Sequence, residues 1–317
     1  MDKLKKNRLD LFFKFLNFYW LRPEKAFLHT LRAEKYIETF KYFKGKTMDV
    51  SCGDGIFSFF SLGGKLSEEC DQYQSLDTKN ISSLNINRDL YDFYQKGEYK
   101  IKVKLKPKKK YTFGTDHKHN LIEKSKGLKL YKNFLLHDNN IKLPGKIGKF
   151  NYIYANSSYW VKNFEYHITD LVNKLESGGK LVLSIKGNEL SKNNFLNIIK
   201  KKFGNTAYKI LDRGRRNSWK GLKNYEYYLN FFKTFKNLKI IKITPIFDKE
   251  ILNIWDIGLR PIFKPLVILI SGNKKTKVKQ SKKLLVKVIF NIFKNYLVKY
   301  KVNKKQAVEW LVILEKK

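Results

Sequence analysis

The part of this chain best suited to bind a ligand is the segment Lys46–Phe60. It contains an acid followed by a turn of small residues. An apolar run containing Asp49 leads into a glycine-rich turn, and an apolar segment typical of a helix follows. This strand–turn–helix order lets backbone N–H groups approach a ligand closely, because Gly53 and Gly55 carry no side chains. The carboxylate of Asp49 favours a ligand with a positively charged end over one that offers only phosphate.

Strands and helices alternate along much of the chain that follows this turn. Apolar runs predict strands at 47–51, 111–115, 133–137, 150–155 and 180–185, with helices at 55–61, 117–126 and 164–175. This alternation predicts a parallel sheet covered on both faces. Further strands are predicted at 238–243 and 307–314, a turn at 177–179, a basic linker at 274–283 and a helix at 284–300.

The same pattern predicts three parts in the chain. Residues 1–45 are predicted to be helical, with a break at Pro23. Residues 46–246 form the ligand-binding α/β domain, which carries an irregular insertion at 62–110. Residues 247–317 form a helical extension that can end in a sheet strand.

Five segments together resemble a known enzyme family. Asp49–Gly55 resembles the first motif of the class I S-adenosylmethionine-dependent methyltransferases, Asp/Glu-x-Gly-x-Gly-x-Gly, with Ser51 in place of the first glycine. The later motifs of that family are matched in order by Thr112–Leu121, Leu135–Asn140, Phe150–Trp160 and Leu175–Leu183. The chain has no Gly-x-x-x-x-Gly-Lys-Ser/Thr or Gly-x-Gly-x-x-Gly sequence, so kinases, ATPases and dehydrogenases have no positive support.

The resemblance implies a fold, a cofactor and a set of binding residues. The fold would be Rossmann-like, with a mostly parallel sheet, helices on both faces, N-terminal helices and a C-terminal helical extension. The cofactor would be S-adenosyl-L-methionine. Asp116 would hold its ribose, since one carboxylate accepts from both hydroxyls of a cis-diol, and Asp77 is the rival candidate. Asp138 and the backbone of Asn139 would bind the adenine. The implied cofactor-binding residues are Asp49, Ser51, Gly53, Asp54, Gly55, Asp116, His117, Asp138, Asn139 and Asn156.

The acceptor side of the site is predicted less fully. In this family the loop after the fourth strand lies beside the methyl group, which implies that Asn156, Tyr159 and Trp160 line the pocket, with Tyr159 and Trp160 as substrate-binding residues. Asn156–Tyr159 departs from the Asn/Asp-Pro-Pro-Tyr/Phe motif of base and glutamine N-methyltransferases, which leaves O-methylation open. A hydroxyl acceptor benefits from a general base. The candidates are His117, His119, His137 and His167, of which His167 is expected at the surface, and none is assigned.

The net charge of +38 invites a nucleic-acid interpretation. However, only eight of the 66 basic residues are Arg, which is the residue expected for bidentate phosphate recognition. The lysine-rich stretches 100–110 and 274–283 also lack interleaved aromatic residues for base stacking. The excess of Lys, Asn, Ile, Tyr and Phe suits an A/T-rich genome. We therefore expect no specific nucleic-acid partner. Cys52 and Cys70 form no metal or disulfide pattern, which fits a reducing cytoplasm.

A narrower resemblance bears on the acceptor. Tyr19–Ala26 and Trp255–Pro261 resemble segments of a bacterial methyltransferase group associated with surface-polysaccharide gene clusters. The prediction is a cytoplasmic methyltransferase acting on a small molecule or a sugar, without a metal. The alternatives are an RNA methyltransferase and a noncatalytic partner protein at the membrane surface. The helix at 284–300 could lie at the inner face of an anionic membrane or pack on the domain with a solvated lysine face.

Overall fold

The computed structural model describes residues 3–74, 100–156, 158–192, 195–212, 221–255, 266, 270 and 273–317. The chain divides into two compact units. The sheet unit comprises residues 35–55, 109–252 and 302–317, and the helical unit comprises residues 1–34, 56–108 and 253–301. The rival ribose candidate Asp77 and residues 256–261 of the segment Trp255–Pro261 lie outside the described residues.

The strands form one large and one small sheet. They are β1 (Thr47–Val50), β2 (Lys65–Leu66), β3 (Val103–Leu105), β4 (Tyr111–Asp116), β5 (Tyr131–Leu136), β6 (Phe150–Ala155), β7 (Leu175–Lys186), β8 (Leu238–Asp248) and β9 (Ala307–Lys316). The order in the large sheet is β5-β4-β1-β6-β7-β9-β8, and β2 pairs with β3. Neighbouring strands from β5 to β7 are parallel, whereas β9 is antiparallel to both β7 and β8. The predicted mostly parallel, Rossmann-like sheet is confirmed, including its last strand.

The helices fall between the strands much as the sequence predicts. They are α1 (Lys3–Phe18), α2 (Pro23–Ile37), α3 (Ile56–Ser61), α4 (His119–Lys126), α5 (Phe164–Asn173), α6 (Glu189–Lys192), α7 (Phe195–Asp212, interrupted at Gly204), α8 (Tyr225–Lys233), α9 (Lys249–Asn253) and α10 (Lys275–Lys299). Pro23 begins α2, as expected of a residue whose fixed φ suits the first helical position.

Two local predictions are wrong. The linker predicted at 274–283 is the beginning of α10, because lysine is a good helix former and a charge run alone does not end a helix. The turn predicted at 177–179 lies inside β7. There the partner of Phe150 is Leu175 while the partner of Tyr152 is Lys180, so β7 carries extra residues in a bulge, and Gly178 adopts a φ of +73°.

The central strands of the large sheet are buried on both faces. Met48, Val50, Ile153 and Ala155 belong to a buried apolar cluster that also includes side chains of α5 and α8. The alternate residues point to the opposite face, as the two-residue period of a strand requires. They include Tyr154, whose ring stacks on Tyr36 at 4.0 Å. Burial on both faces explains why these strands are rich in apolar and aromatic residues.

The helical unit has its own buried contacts. The Arg8 guanidinium pairs with Glu34 and donates to the carbonyls of Leu297 (2.6 Å) and Tyr300 (3.0 Å), which satisfies acceptors at the end of α10. Trp20 is 2% exposed, and its ring meets Tyr73 edge-on at 6.2 Å. Trp20 therefore contributes to the packing of this unit.

Candidate functional site

The sheet order identifies one edge as the place for a ligand. From β1 the chain proceeds to β4 and β5 on one side and then to β6 and β7 on the other, so the strand order reverses between β1 and β6. In open α/β sheets, ligands bind outside the carboxyl ends of the strands at such a switch point. Asp49, Asp116 and Asn156 lie at or next to the carboxyl ends of their strands, so the structure brings these predicted residues to the same edge.

The turn after β1 holds an uncommon backbone conformation. Ser51, Gly53 and Gly55 have φ values of +55°, +59° and +74°. Ser51 is not a glycine, and such a conformation costs on the order of 1–3 kcal/mol, so the surrounding contacts must enforce it. One of them is the hydrogen bond from the Cys52 N–H to the Thr115 carbonyl, at 2.8 Å. The turn is therefore fixed against the end of β4.

The two glycines of this turn have different surroundings. A Cβ added at Gly55 would lie 3.0 Å from the Cδ1 atom of Leu128, so close packing requires a glycine there. A Cβ added at Gly53 would meet no heavy atom within 4 Å. The backbone at Gly53 therefore faces open space and can be approached by a ligand.

Asp116 connects β4 to the turn. Its Oδ2 accepts the Gly53 N–H at 3.0 Å, and its Oδ1 accepts the Lys118 N–H at 2.9 Å. The carboxyl group is nearly buried, and the His117 Nδ1 lies 3.5 Å from Oδ1 on a side chain that is 61% exposed. A carboxylate has about four lone-pair sites, so Asp116 retains capacity to accept further donors.

The loop after β5 is also joined to the turn. The Asn139 side-chain amide donates to the Ser51 hydroxyl at 2.6 Å. Asp138 is exposed, and its Oδ1 accepts the Asn140 N–H at 2.9 Å. This backbone hydrogen bond lowers the pKa of Asp138, which therefore remains a carboxylate. The ends of β1, β4 and β5 thus form one hydrogen-bonded group.

Asp49 lies in β1, two residues before the turn begins at Ser51. It is 2% exposed and accepts the Tyr131 phenol at 2.7 Å. Burial, together with the Asp49 charge, raises the pKa of Tyr131 well above its usual value, so the phenol keeps the proton that it donates. Burial likewise raises the pKa of the Cys52 thiol, with the charges of Asp49 and Asp116 adding to the effect. Asp54 is buried in the same turn. Tyr131 was not among the predicted site residues, because its strand was expected to begin two residues later.

The end of β6 carries buried polar atoms that have no hydrogen-bond partner among the described residues. The Oδ1 atom of Asn156 and the Oγ atom of Ser158 are buried without a hydrogen bond to any described residue. Tyr159 is half-buried, and the Lys186 Nζ lies 3.2 Å from its ring centroid, whereas Trp160 is 57% exposed. Ser158 and Lys186 were not predicted from the sequence. A single lysine that ends an apolar strand was the available signal for Lys186.

The histidines do not supply an obvious general base. His117 and His119 have largely exposed side chains. His167 is 4% exposed, so its predicted surface position is wrong, because it lies on the buried face of α5. Burial, with a smaller effect of the nearby His137, lowers the pKa of His167 to about 4. Burial also lowers the pKa of His137. Both side chains are therefore neutral near pH 7.

Among the described residues, no group of three or more His, Cys, Asp or Glu side chains has the arrangement of a metal site.

Comparisons with known proteins found similar structures only. No protein-family model matches the chain, and no curated protein matches it. The plantazolicin methyltransferase BpumL, solved with a triazolic desmethylPZN analogue and SAH, is 11% identical over 99% of this chain and 97% of its own, with a TM-score of 0.43. The StiE O-MT is 11% identical over 89% of this chain and 74% of its own, also with a TM-score of 0.43. The MccD protein is 11% identical over 90% and 98% of the two chains, with a TM-score of 0.41. At these values the similarity assigns neither a family nor an acceptor to this chain.

Proposed function

We propose that this chain is an S-adenosylmethionine-dependent methyltransferase that acts on a small-molecule or sugar acceptor. The observation that carries the proposal is the hydrogen-bonded group at the switch point of the sheet. Asp116 binds the Gly53 N–H, and Asn139 binds the Ser51 hydroxyl, so a carboxylate, an amide and a glycine turn meet at three neighbouring strand ends. This combination suits a ligand that carries a diol, a heterocycle and a positive centre.

The residues present fit the cofactor. The open space at Gly53 is the kind of close approach that a bulky nucleoside requires, and a side chain there would fill it. Asp116 has acceptor capacity for the ribose hydroxyls, and the exposed Asp138 is available to the adenine amino group. Asp49 and Asp54, one before the turn and one in it, would favour the positive charge of a sulfonium. When bound, S-adenosylmethionine supplies an already activated methyl group.

The tasks left to the protein are positioning and water exclusion. Proximity and alignment can lower a barrier by roughly 7–11 kcal/mol, so a methyl transfer does not need a dedicated acid or base. Tyr159, with Lys186 against its ring, offers a fixed aromatic wall, and the buried Asn156 Oδ1 and Ser158 Oγ offer hydrogen-bond partners to an acceptor hydroxyl or amine. A proton released by a hydroxyl acceptor would leave to solvent or to a group that the acceptor itself brings.

The proposed sugar acceptor is supported by the segments 19–26 and 255–261, which resemble parts of a methyltransferase group associated with surface-polysaccharide gene clusters. An RNA acceptor has less support, because the basic residues are mostly lysines without stacking aromatics. A screen with methyl-labelled cofactor can separate these acceptors. We expect label in a nucleotide sugar, a lipid-linked glycan or a small metabolite. Label at one defined RNA position at physiological salt would favour the RNA alternative, and the absence of cofactor binding would favour a noncatalytic role.

A glycine substitution tests the cofactor site directly. Gly53→Val should abolish S-adenosylmethionine binding in calorimetric titration, because its side chain would occupy the open space beside the turn. Gly178→Val is the matched control: Gly178 also has a positive φ (+73°), and a Cβ added there would meet no heavy atom within 4 Å, but it lies near the start of β7, away from the carboxyl edge. Both variants should lose similar stability. Normal binding by a folded Gly53→Val protein would contradict the proposed site.

A further inference from the structure

The helix α10, in the helical unit, is basic along its whole length. It spans 25 residues, of which eight are lysines and none is acidic. Its inner face packs on the N-terminal helices: the Phe290 ring stacks on Phe12 at 5.8 Å, and Phe293 and Tyr296 meet Phe27 at 5.5 and 5.8 Å. The helix is therefore held in place by one face, and these aromatic residues are not the ones available to a partner.

The outer face of α10 carries an apolar stripe. Leu284, Val288 and Ile292 follow one another at intervals of four residues and are 65%, 43% and 61% exposed. Residues at this spacing lie on one side of a helix. All three residues lie in the helix predicted at 284–300, for which contact with an anionic membrane was one of the alternatives.

Lysines border this outer stripe. Lys283 and Lys287 are exposed and each directly precedes a member of the stripe. Lys277 and Lys299, also exposed, lie seven residues before Leu284 and seven after Ile292, so they extend the same line at both ends. Seven residues are nearly two helical turns, which places these side chains on the same side of the helix. The outer stripe therefore combines buriable apolar side chains with positive charge.

We propose that this outer stripe docks α10 flat on an anionic lipid surface. A helix with an apolar strip beside a lysine-rich polar face lies in the membrane interface, where the apolar side chains enter the headgroup boundary and the lysines meet lipid phosphates. No described helix is long and apolar enough to cross a membrane. Because α10 is already folded and packed, docking requires no ordering of the helix.

The charge and the side chains of the outer stripe argue against a second copy of this chain and against a nucleic acid as its partner. A second copy of this stripe would bring lysines against lysines, since α10 has no acidic residue to pair with them. A nucleic acid would match the charge but would leave the three aliphatic side chains without a partner, and no aromatic ring belongs to the stripe for base stacking. An anionic bilayer satisfies both the apolar and the charged groups.

The test is sedimentation of the full-length protein with lipid vesicles. We expect binding to phosphatidylcholine vesicles that contain phosphatidylglycerol and little binding to phosphatidylcholine alone. Leu284→Ser/Val288→Ser/Ile292→Ser should reduce binding to background. Lys283→Gln/Lys287→Gln should weaken it about thirtyfold, which corresponds to about 1 kcal/mol per lysine.

A control pair of similar exposure separates the effect of this stripe from that of exposed apolar side chains in general. Ile198→Ser/Phe203→Ser removes side chains of α7 that are 48% and 69% exposed, and binding should remain as in the parent protein. Light scattering without vesicles would detect self-association through the stripe. Equal binding by the triple variant and the parent, equal binding to neutral vesicles, or a dimer that the triple variant abolishes would each overturn the proposal. Vesicle binding is measured without any methyl donor, so its failure would leave the proposed enzyme activity untouched.

Discussion

Asp116 supports the turn through hydrogen bonds and is also the proposed binding residue for the cofactor ribose. Its replacement should therefore lower both the stability of the protein and its affinity for the cofactor. In the protein its carboxylate accepts the Gly53 and Lys118 N–H groups at 3.0 and 2.9 Å. Asp116→Ala leaves both N–H donors without this acceptor. Each donor that water does not reach should lower the free energy of unfolding by about 1–3 kcal/mol. The substitution would also remove the acceptor for two ribose hydroxyls. Each lost charge-assisted hydrogen bond would weaken the gross binding free energy by roughly 1.5–3 kcal/mol. We expect the dissociation constant for S-adenosylmethionine to rise by at least about tenfold.

Asp248 provides a matched control for this experiment. It ends β8, is 2% exposed, and accepts the Glu250 N–H at 3.1 Å on one oxygen and the Asn303 N–H at 2.7 Å on the other. Asp248→Ala should therefore lower the free energy of unfolding by an amount similar to Asp116→Ala. Calorimetric titration should show weaker cofactor binding for Asp116→Ala alone. Unchanged affinity in a folded Asp116→Ala protein, or an equal loss in both variants, would refute the assignment of the ribose to Asp116.

Two further substitutions test the buried groups. Tyr131→Phe removes the hydrogen bond to the buried Asp49 carboxylate, so urea unfolding should show a loss of about 1.5–3 kcal/mol with an unchanged m-value, whereas the exposed Tyr166→Phe should have no effect. His167 has a folded pKa of about 4, below the usual 6.5, so the unfolded chain binds more protons between these values and stability falls as the pH drops through this window. Between pH 7 and 5 the parent protein should lose roughly 2 kcal/mol more than His167→Phe; parallel pH profiles would contradict the buried neutral imidazole.

The centre of the sheet was largely predictable because its strands are buried on both faces. Met48 and Val50 of β1 and Tyr152–Ala155 of β6 are apolar or aromatic residues in short segments that turns separate from the helices. The prediction of a linker at 274–283 is wrong because a charge run alone does not end a helix, and the contact that buries part of this run is not local. Lys282 is buried and pairs with Asp71 at 3.0 Å, a contact between residues more than 200 positions apart. No periodicity within the run reveals that partner.

The candidate site was predictable in its strand ends but not in its hydrogen bonds. The strands that carry the acids were predicted from their apolar residues, and the resemblance to the methyltransferase motifs implied Asp116 as a site residue. The bonds from Gly53 to Asp116 and from Asn139 to Ser51 depend on which strands are neighbours, because they join residues 63 and 88 positions apart. Sequence order alone does not give that neighbourhood.

The candidate site has two halves, which differ in whether their buried polar atoms already have hydrogen-bond partners in the protein. On the side of β4 and β5, the Asp116 carboxylate and the Ser51 hydroxyl already have protein partners, so this half is fixed before any ligand arrives. At the end of β6, the Asn156 Oδ1 and the Ser158 Oγ are buried without a partner among the described residues. A buried polar atom without a hydrogen bond costs about 1–3 kcal/mol, and a ligand group that supplies the missing bond recovers this cost. The first half therefore suits a constant ligand such as a cofactor. The second half favours an acceptor that brings its own hydroxyl or N–H groups, and it disfavours a purely apolar one.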